Sequence, residues 1–155
     1  EQVHTFGEVD RHPLGRVITV AYYSLINIKN VNIRAASFAE QVVWKEVRSI
    51  DKLAFDHKKI METCLIRLRN DVKLRPIGFE LLPEKFTLTE LQRLYESVLE
   101  EDLDKRNFRK KILSMDILKT LHELQQGVAH RPAKLYSFDD ERYKKAKENG
   151  FIFEL

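Results

Sequence analysis

The sequence is poor in cysteine and has no long apolar run, and each shortage excludes a class of protein. The single thiol, Cys64, excludes an intrachain disulfide framework, argues against a cysteine-based zinc site and fits a reducing, cytoplasmic location. No apolar run approaches the roughly 18–20 residues that span a bilayer, so we expect no membrane partner. The 155 residues carry 27 Lys and Arg against 24 Asp and Glu, a net charge of only +3. Taken whole, that charge predicts no charged partner.

The charge is concentrated rather than scarce. A hydrophobic fraction of 43% beside 33% charged residues predicts a folded domain with a wet surface. Residues 80–104 are dense in Asp and Glu, and the sign then reverses. Five cations fall within the seven residues 105–111, and no acid lies among them. Because clustered Lys and Arg mark a nucleic-acid surface, this segment is the first functional candidate.

The first half of the chain predicts about two strands and one helix. Residues 17–26 are β-branched and aromatic on both faces, which predicts a central strand covered on both sides. A second strand is predicted at 40–46, with Trp44 in the core. Asp56 is predicted to cap a helix that runs to about Asn70 and buries Cys64 on its apolar stripe. Since a central strand needs two neighbours, we expect part of this domain to lie outside the chain.

The second half predicts a helix-turn-helix followed by a β-hairpin. Arg75 to Gly78 interrupts the pattern, which gives domains 1–76 and 77–155. Thr87 to Glu90 is a capping box, so a helix is predicted over 88–99. Asp104 can cap a second helix whose Phe108 faces inward. Strands at 117–124 and 131–138 would then form a wing, and 139–150 a closing helix.

This order of elements is the shape that a DNA-reading unit requires, so we predict that double-stranded DNA binds here. Arginine and asparagine can donate to a base edge, whereas Lys105 and Lys111 are expected to contact phosphate. His130 lies in the predicted wing loop with two further cations. The predicted DNA-binding residues are Lys105, Arg106, Asn107, Arg109, Lys110, Lys111, Arg131 and Lys134.

A second candidate site lies in the polar loop before the predicted central strand. Asp10, Arg11 and Arg16 could hold the phosphate or sugar hydroxyls of an effector. A structural salt bridge within the loop is an equally good interpretation of the same residues. The histidines show no metal-ligand spacing, so the sequence predicts no metal. It also predicts no cofactor and no catalytic residue.

Two long segments, Gly78 to Gln92 and Leu103 to Leu113, closely resemble the Nudix-related transcriptional regulators, and the run Arg131 to Tyr136 matches the same pattern. The first half resembles the later part of the Nudix domain. That likeness rests on Phe6-Gly7, Asp10-Arg11, Pro13, Gly15-Arg16, the strand from Val17 to Leu25, and Phe55-Asp56-His57.

The resemblance implies an α+β chain: a partial Nudix-like α/β/α sandwich followed by a winged helix-turn-helix domain. It also implies a dimeric bacterial repressor whose effector is ADP-ribose or a pentose such as arabinose. A Nudix hydrolase needs an Arg-Glu-x-x-Glu-Glu helix to hold Mg²⁺, and this chain lacks it. We therefore expect a regulator that is not an enzyme. A Nudix hydrolase with an accessory winged helix, and a winged helix that docks proteins, remain the alternatives.

Overall fold

A computed structural model describes residues 1–28, 31–36, 39–129 and 131–155, and its contacts divide into two compact units. The first unit is Glu1–Arg67 and the second is Leu68–Leu155. The sequence placed the boundary later, after residue 76. The difference arises because the end of the first long helix packs into the second unit, where Val72 is only 1% exposed.

The first unit contains one antiparallel pair of strands, β1 (Gln2–Phe6) and β2 (Thr19–Tyr22). Phe6 and Ala21 are buried, whereas Val20 and Tyr22 are 44% and 64% exposed. The prediction of a doubly covered central strand over 17–26 is therefore wrong in length and in burial. Among the described residues β2 pairs only with β1, which leaves its other edge unpaired, and the face that carries Val20 and Tyr22 is open to solvent.

The second predicted strand, at 40–46, is also wrong. Those residues are irregular and lead into a short 3₁₀ turn at Val47–Ser49. Trp44, expected in the core, is 48% exposed. A strand needs a neighbour for its backbone hydrogen bonds. In the described part of this unit only β1 and β2 pair, so the β-forming side chains of 42–44 find no ladder to join.

Helix α1 (His57–Leu74) confirms the predicted helix and continues one turn beyond Asn70. It ends just before Arg75-Pro76, because the residue before a proline disfavours helical backbone. Cys64 is only half-buried on this helix, and burial raises the pKa of its thiol. A raised pKa keeps the group as a thiol at neutral pH. The thiol is the unreactive form, because the thiolate is the nucleophile.

The last two turns of α1 belong to the second unit through specific contacts. Arg69 donates from Nε to the carbonyl of Val98 at 3.2 Å, and its Nη2 lies 2.7 Å from the carboxylate of Glu100. The backbone N–H of Leu155 donates to the carbonyl of Lys73 at 2.9 Å. The end of α1 is therefore fixed to the second unit by polar bonds as well as by the burial of Val72.

The second unit has the predicted element order. A short 3₁₀ turn at Ile77–Leu81 leads to the helices α2 (Leu88–Leu99) and α3 (Lys105–Ser114). The strands β3 (Leu118–Leu124) and β4 (Lys134–Phe138) pair antiparallel, and α4 (Asp140–Glu148) follows. Phe86 exchanges two backbone hydrogen bonds with Tyr136, so it forms an isolated antiparallel bridge on the other edge of β4.

One apolar core holds these elements together. Phe108 and Ile112 of α3 are 5% and 0% exposed, so their inward orientation is confirmed. Burial raises the pKa of Tyr95, whose phenol lies among them. The buried members of the core are Val72, Phe79, Phe86, Leu88, Leu91, Tyr95, Leu99, Phe108, Ile112, Ile117, Leu118, Tyr136 and Phe153.

Candidate nucleic-acid interface

The start of α2 is fixed by a reciprocal cap. The Thr87 hydroxyl accepts from the backbone N–H of Glu90 at 3.2 Å, and the Glu90 carboxylate accepts from the backbone N–H of Thr87 at 2.7 Å. Two of the otherwise unpaired N–H groups at the helix start are thereby satisfied. This cap confirms the predicted capping box and sets the first residue of the helix-turn-helix.

The turn between α2 and α3 is pinned by side chains that sequence reasoning missed. Gln92 donates from Nε2 to Glu96 at 2.8 Å and to the carbonyl of Leu103 at 2.9 Å. Glu96 also accepts from the backbone N–H of Leu103 at 3.1 Å. Glu100, at the end of α2, takes a left-handed conformation with φ of 57°. The spacing of Gln92 and Glu96, four residues apart on one helix, was the available signal.

Helix α3 presents its cations to solvent because its apolar side chains face the core. Asp104 caps the helix by accepting from the backbone N–H of Asn107 at 2.8 Å. With Phe108 and Ile112 turned inward, the opposite face is exposed. The exposed residues on it are Lys105, Arg106, Asn107, Lys110 and Lys111.

The electrostatics of α3 are unfavourable for an isolated helix. Its first turn holds no acid, although the positive end of a helix dipole favours one. Lys105 and Arg109, and likewise Arg106 and Lys110, are like charges four residues apart, which cost about 0.2–0.5 kcal/mol per pair. Within the residues that the structure describes, none of these cations forms an ion pair. A bound polyanion would reverse each of these costs.

Arg109 differs from the other cations of α3. Its guanidinium is folded back on α2, where Nη2 donates to the Thr89 hydroxyl at 3.0 Å. Its Nε is buried and finds no acceptor in the described part of the chain. The residue as a whole is half-buried. The sequence predicted that Arg109 reads a base edge; that stays a prediction, and the structure adds that its Nη2 lies on the Thr89 hydroxyl.

The hairpin of β3 and β4 forms the predicted wing. Its pairing runs from Leu118 opposite Phe138 to Leu124 opposite Lys134. The connecting loop turns at Gly127, whose φ of +70° favours glycine. Arg131 and Lys134 are exposed at this end of the hairpin, as the sequence predicted. His130 lies outside the described residues.

Residues 78–138, which contain α2, α3 and the wing, match the family model described as the NrtR DNA-binding winged helix domain. Residues 78–138, here called the NrtR-type domain, are therefore similar to that winged-helix domain.

Relatives of known description extend the likeness beyond the NrtR-type domain. The chain is 34% identical, over 140 residues, to the "ADPR responsive transcriptional repressor NtrR" of Acinetobacter baylyi. That match covers 89% of the chain and 55% of the relative, so the chain spans about half the length of that protein.

Solved structures give the same answer for the fold. The chain is similar to Shewanella oneidensis NrtR complexed with a 27mer DNA, with a TM-score of 0.74 and 28% identity over 93% of this chain and 66% of that one. It is also similar to Shewanella oneidensis NrtR described without DNA, with a TM-score of 0.70 and 30% identity, covering 89% and 63% of the two chains.

The candidate effector residues lie in the first unit, apart from the NrtR-type domain in sequence. Arg11 forms a two-pronged ion pair with Asp56, with Nε–Oδ2 and Nη2–Oδ1 distances of 2.8 Å. Its Nη1 donates to the Thr19 hydroxyl at 2.7 Å. The guanidinium beside Asp56 holds the pKa of that carboxyl below its ordinary value.

Most donors of Arg11 are thus already used by the protein, and its side chain is only 5% exposed. Arg11 therefore fits the alternative of a structural salt bridge. Its partner, Asp56, lies just before α1 and not within the loop. Asp56, predicted as a helix cap, lies directly before α1 and its carbonyl accepts from the backbone N–H of Ile60 at 3.1 Å, while its side chain pairs with Arg11. Asp10 and Arg16 remain exposed on the loop, and the described residues supply neither with an ion pair.

Among the described residues, no group of three or more His, Cys, Asp or Glu side chains is placed to hold a metal ion. None of the described helices combines the length and apolar character needed to cross a bilayer.

Proposed function

We propose that this chain is a DNA-binding transcription regulator, without enzymatic activity, that acts as a repressor. The observation that carries the proposal is the exposed cationic face of α3. Its cations begin in the first turn of the helix and have no acidic partner among the described residues. DNA phosphates would supply the missing negative charge, and Arg106 and Asn107 would reach base edges. The wing residues Arg131 and Lys134 would contact the flanking backbone.

The described relatives support this proposal. One is a transcriptional repressor by its description, and another was crystallised in complex with a 27mer DNA. The same repressor is described as ADPR-responsive. We therefore propose that the first unit is Nudix-like and that its effector is ADP-ribose. A homodimer in the cytoplasm, binding two half-sites of an operator, completes the proposal.

The proposal is tested by selecting a preferred duplex from a random-sequence pool and titrating it with the protein at one fixed salt concentration. The double variant Lys105→Ala/Arg106→Ala is expected to weaken binding by at least about 1–3 kcal/mol, because it removes one base contact and one phosphate contact. The matched control is Lys144→Ala/Lys145→Ala, which removes two cations from α4. Equal losses in the two double variants would contradict the assignment of α3.

The same titration, repeated with ADP-ribose, tests the effector. A ligand shifts DNA affinity only if it binds the free and the DNA-bound conformations unequally. We expect ADP-ribose to lower the affinity for the preferred duplex and arabinose to leave it unchanged. An effect of arabinose alone would move the chain to a sugar-responsive branch.

A further inference from the structure

Within the described residues Arg109 has no anionic partner, and its guanidinium lies against α2. The hydrogen bond that the described chain gives it runs from Nη2 to the Thr89 hydroxyl at 3.0 Å. No carboxylate among the described residues pairs with it, and Nε is buried without an acceptor. Buried guanidinium nitrogens are normally paired, so an arginine held in this way indicates that a partner is absent.

The acceptor residue, Thr89, lies one helical turn before Arg93. Residues four apart share a face of a helix, so Thr89 and Arg93 lie side by side on α2. Arg93 is exposed, and the described part of the chain offers it no ion pair. Glu96, the acid on the same face, is occupied by Gln92 and by the backbone N–H of Leu103. Glu90, three residues before Arg93, accepts from Thr87, so among the described residues neither of these two acids forms an ion pair with Arg93.

The Thr89 hydroxyl is free to donate. It accepts from Arg109, and a hydroxyl that accepts one bond keeps its own proton for another acceptor. The edge of α2 therefore offers two guanidinium groups and one hydroxyl donor. A phosphate diester, with one negative charge and several acceptor oxygens, matches that set.

We propose that Thr89, Arg93 and Arg109 form a phosphate-binding site that holds the DNA backbone beside the groove occupied by α3. The inference rests on the proposed function, because it names a subsite for the same duplex. In a helix-turn-helix the first helix crosses the backbone while the second enters the groove, and the three residues belong to that crossing. Arg109 is thereby reassigned from a base edge to a phosphate, since Thr89 holds it on α2.

The exposed Arg93 gives the cleanest test, because its removal does not disturb the core. Binding is measured at several salt concentrations on the preferred duplex and on an unrelated duplex. Arg93→Ala is expected to reduce the slope of log affinity against log salt by about 0.9, as one phosphate contact does. The affinity at 0.1 M salt should fall about tenfold, by the same factor on both duplexes. The matched control, Lys144→Ala on α4, should leave the slope unchanged.

Arg109→Ala and Thr89→Val complete the test, with thermal unfolding used to confirm that each variant folds. Arg109→Ala should lower the slope as Arg93→Ala does, whereas Thr89→Val should weaken both duplexes without changing the slope. The site is overturned if Arg93→Ala leaves the slope intact, or if Arg109→Ala loses discrimination at one base pair only. If the unchanged protein shows no salt-dependent binding to any duplex, the proposed function fails first, and the subsite fails with it.

Discussion

Helices α3 and α4 have nearly the same length and are both rich in Lys and Arg, but they differ in the charges of their first turns. Each begins with an aspartate cap: Asp104 accepts from Asn107 N–H at 2.8 Å, and Asp139 accepts from Arg142 N–H at 3.0 Å. After the cap, α4 has acids in its first turn and bases in its last. Helix α3 has no acid in its first turn and begins with bases.

The partners of the two helices differ in the same way. Arg142 of α4 forms two ion pairs: its Nη1 lies 2.8 Å from Oδ1 of Asp116, and its Nε lies 3.2 Å from Oδ2 of Asp139. The cations of α3 have no such neighbours in the described chain. A charged helix whose order agrees with its dipole is stabilised by its own charges. Helix α3 has bases where its dipole favours acids, and beyond the Asp104 cap it holds no acid to offset them. The position of the charges therefore distinguishes the two helices better than their number.

The largest expected difference between the helices concerns the core. Phe108→Ala on α3 should lower the free energy of unfolding by about 3–5 kcal/mol, because the ring is 5% exposed. Tyr143→Ala on α4 should cost clearly less, since Tyr143 is half-buried and α4 has no fully buried residue. Chemical denaturation of both variants measures the two losses. Equal losses would show that α4 is as central to the core as α3.

The caps should matter about equally, which tests whether the two helices begin alike. Asp104→Ala and Asp139→Ala should each lower the free energy of unfolding by about 1 kcal/mol, through loss of the bond to the backbone N–H. Asp104→Asn and Asp139→Asn are the controls, because asparagine keeps the accepting oxygen. The ion pair of Asp139 with Arg142 is exposed and adds little. No loss for Asp104→Ala would contradict the observed cap.

Reversing one charge in each helix gives the smallest and most discriminating effect. Lys105→Glu should raise the free energy of unfolding by about 0.3–1 kcal/mol at low salt, because it places an acid at the helix start and opposite Arg109. Asp140→Lys on α4 should lower it by a similar amount. Only Lys105→Glu should weaken DNA binding. Thermal unfolding at low and high salt, beside a DNA titration, separates the two effects; a stability loss for Lys105→Glu would refute the comparison.

The second unit could be predicted from the sequence because its signals are local. The capping box at Thr87, the cap at Asp104 and the spacing of Phe108 and Ile112 each involve residues within one or two turns. The predicted bounds of α2 are the ones observed, and α3 begins directly after Asp104 as predicted. Strand β2 could not be predicted as well, because burial of its faces depends on chain segments far away in sequence.

Within the site, the sequence identified which residues are exposed cations but not which of them folds back on the protein. In the sequence Arg109 and Arg106 look alike, because each lies four residues from another cation. Only the packing of α3 against α2 brings Arg109 to Thr89. Arg11 shows the same limit, since its partner Asp56 is 45 residues away. Such pairings depend on tertiary contacts that a local pattern does not contain.

The tail of α1 determines where the winged helix can be separated from the rest of the chain. A piece that begins at Ile77, as the sequence boundary suggested, would lack Val72, the Arg69 bonds to the end of α2, and the Lys73 carbonyl that receives Leu155. Such a piece would expose apolar core surface and release its own C-terminus. A stable fragment that contains this unit is therefore expected to begin at or before Leu68, inside a helix rather than at the proline that follows it.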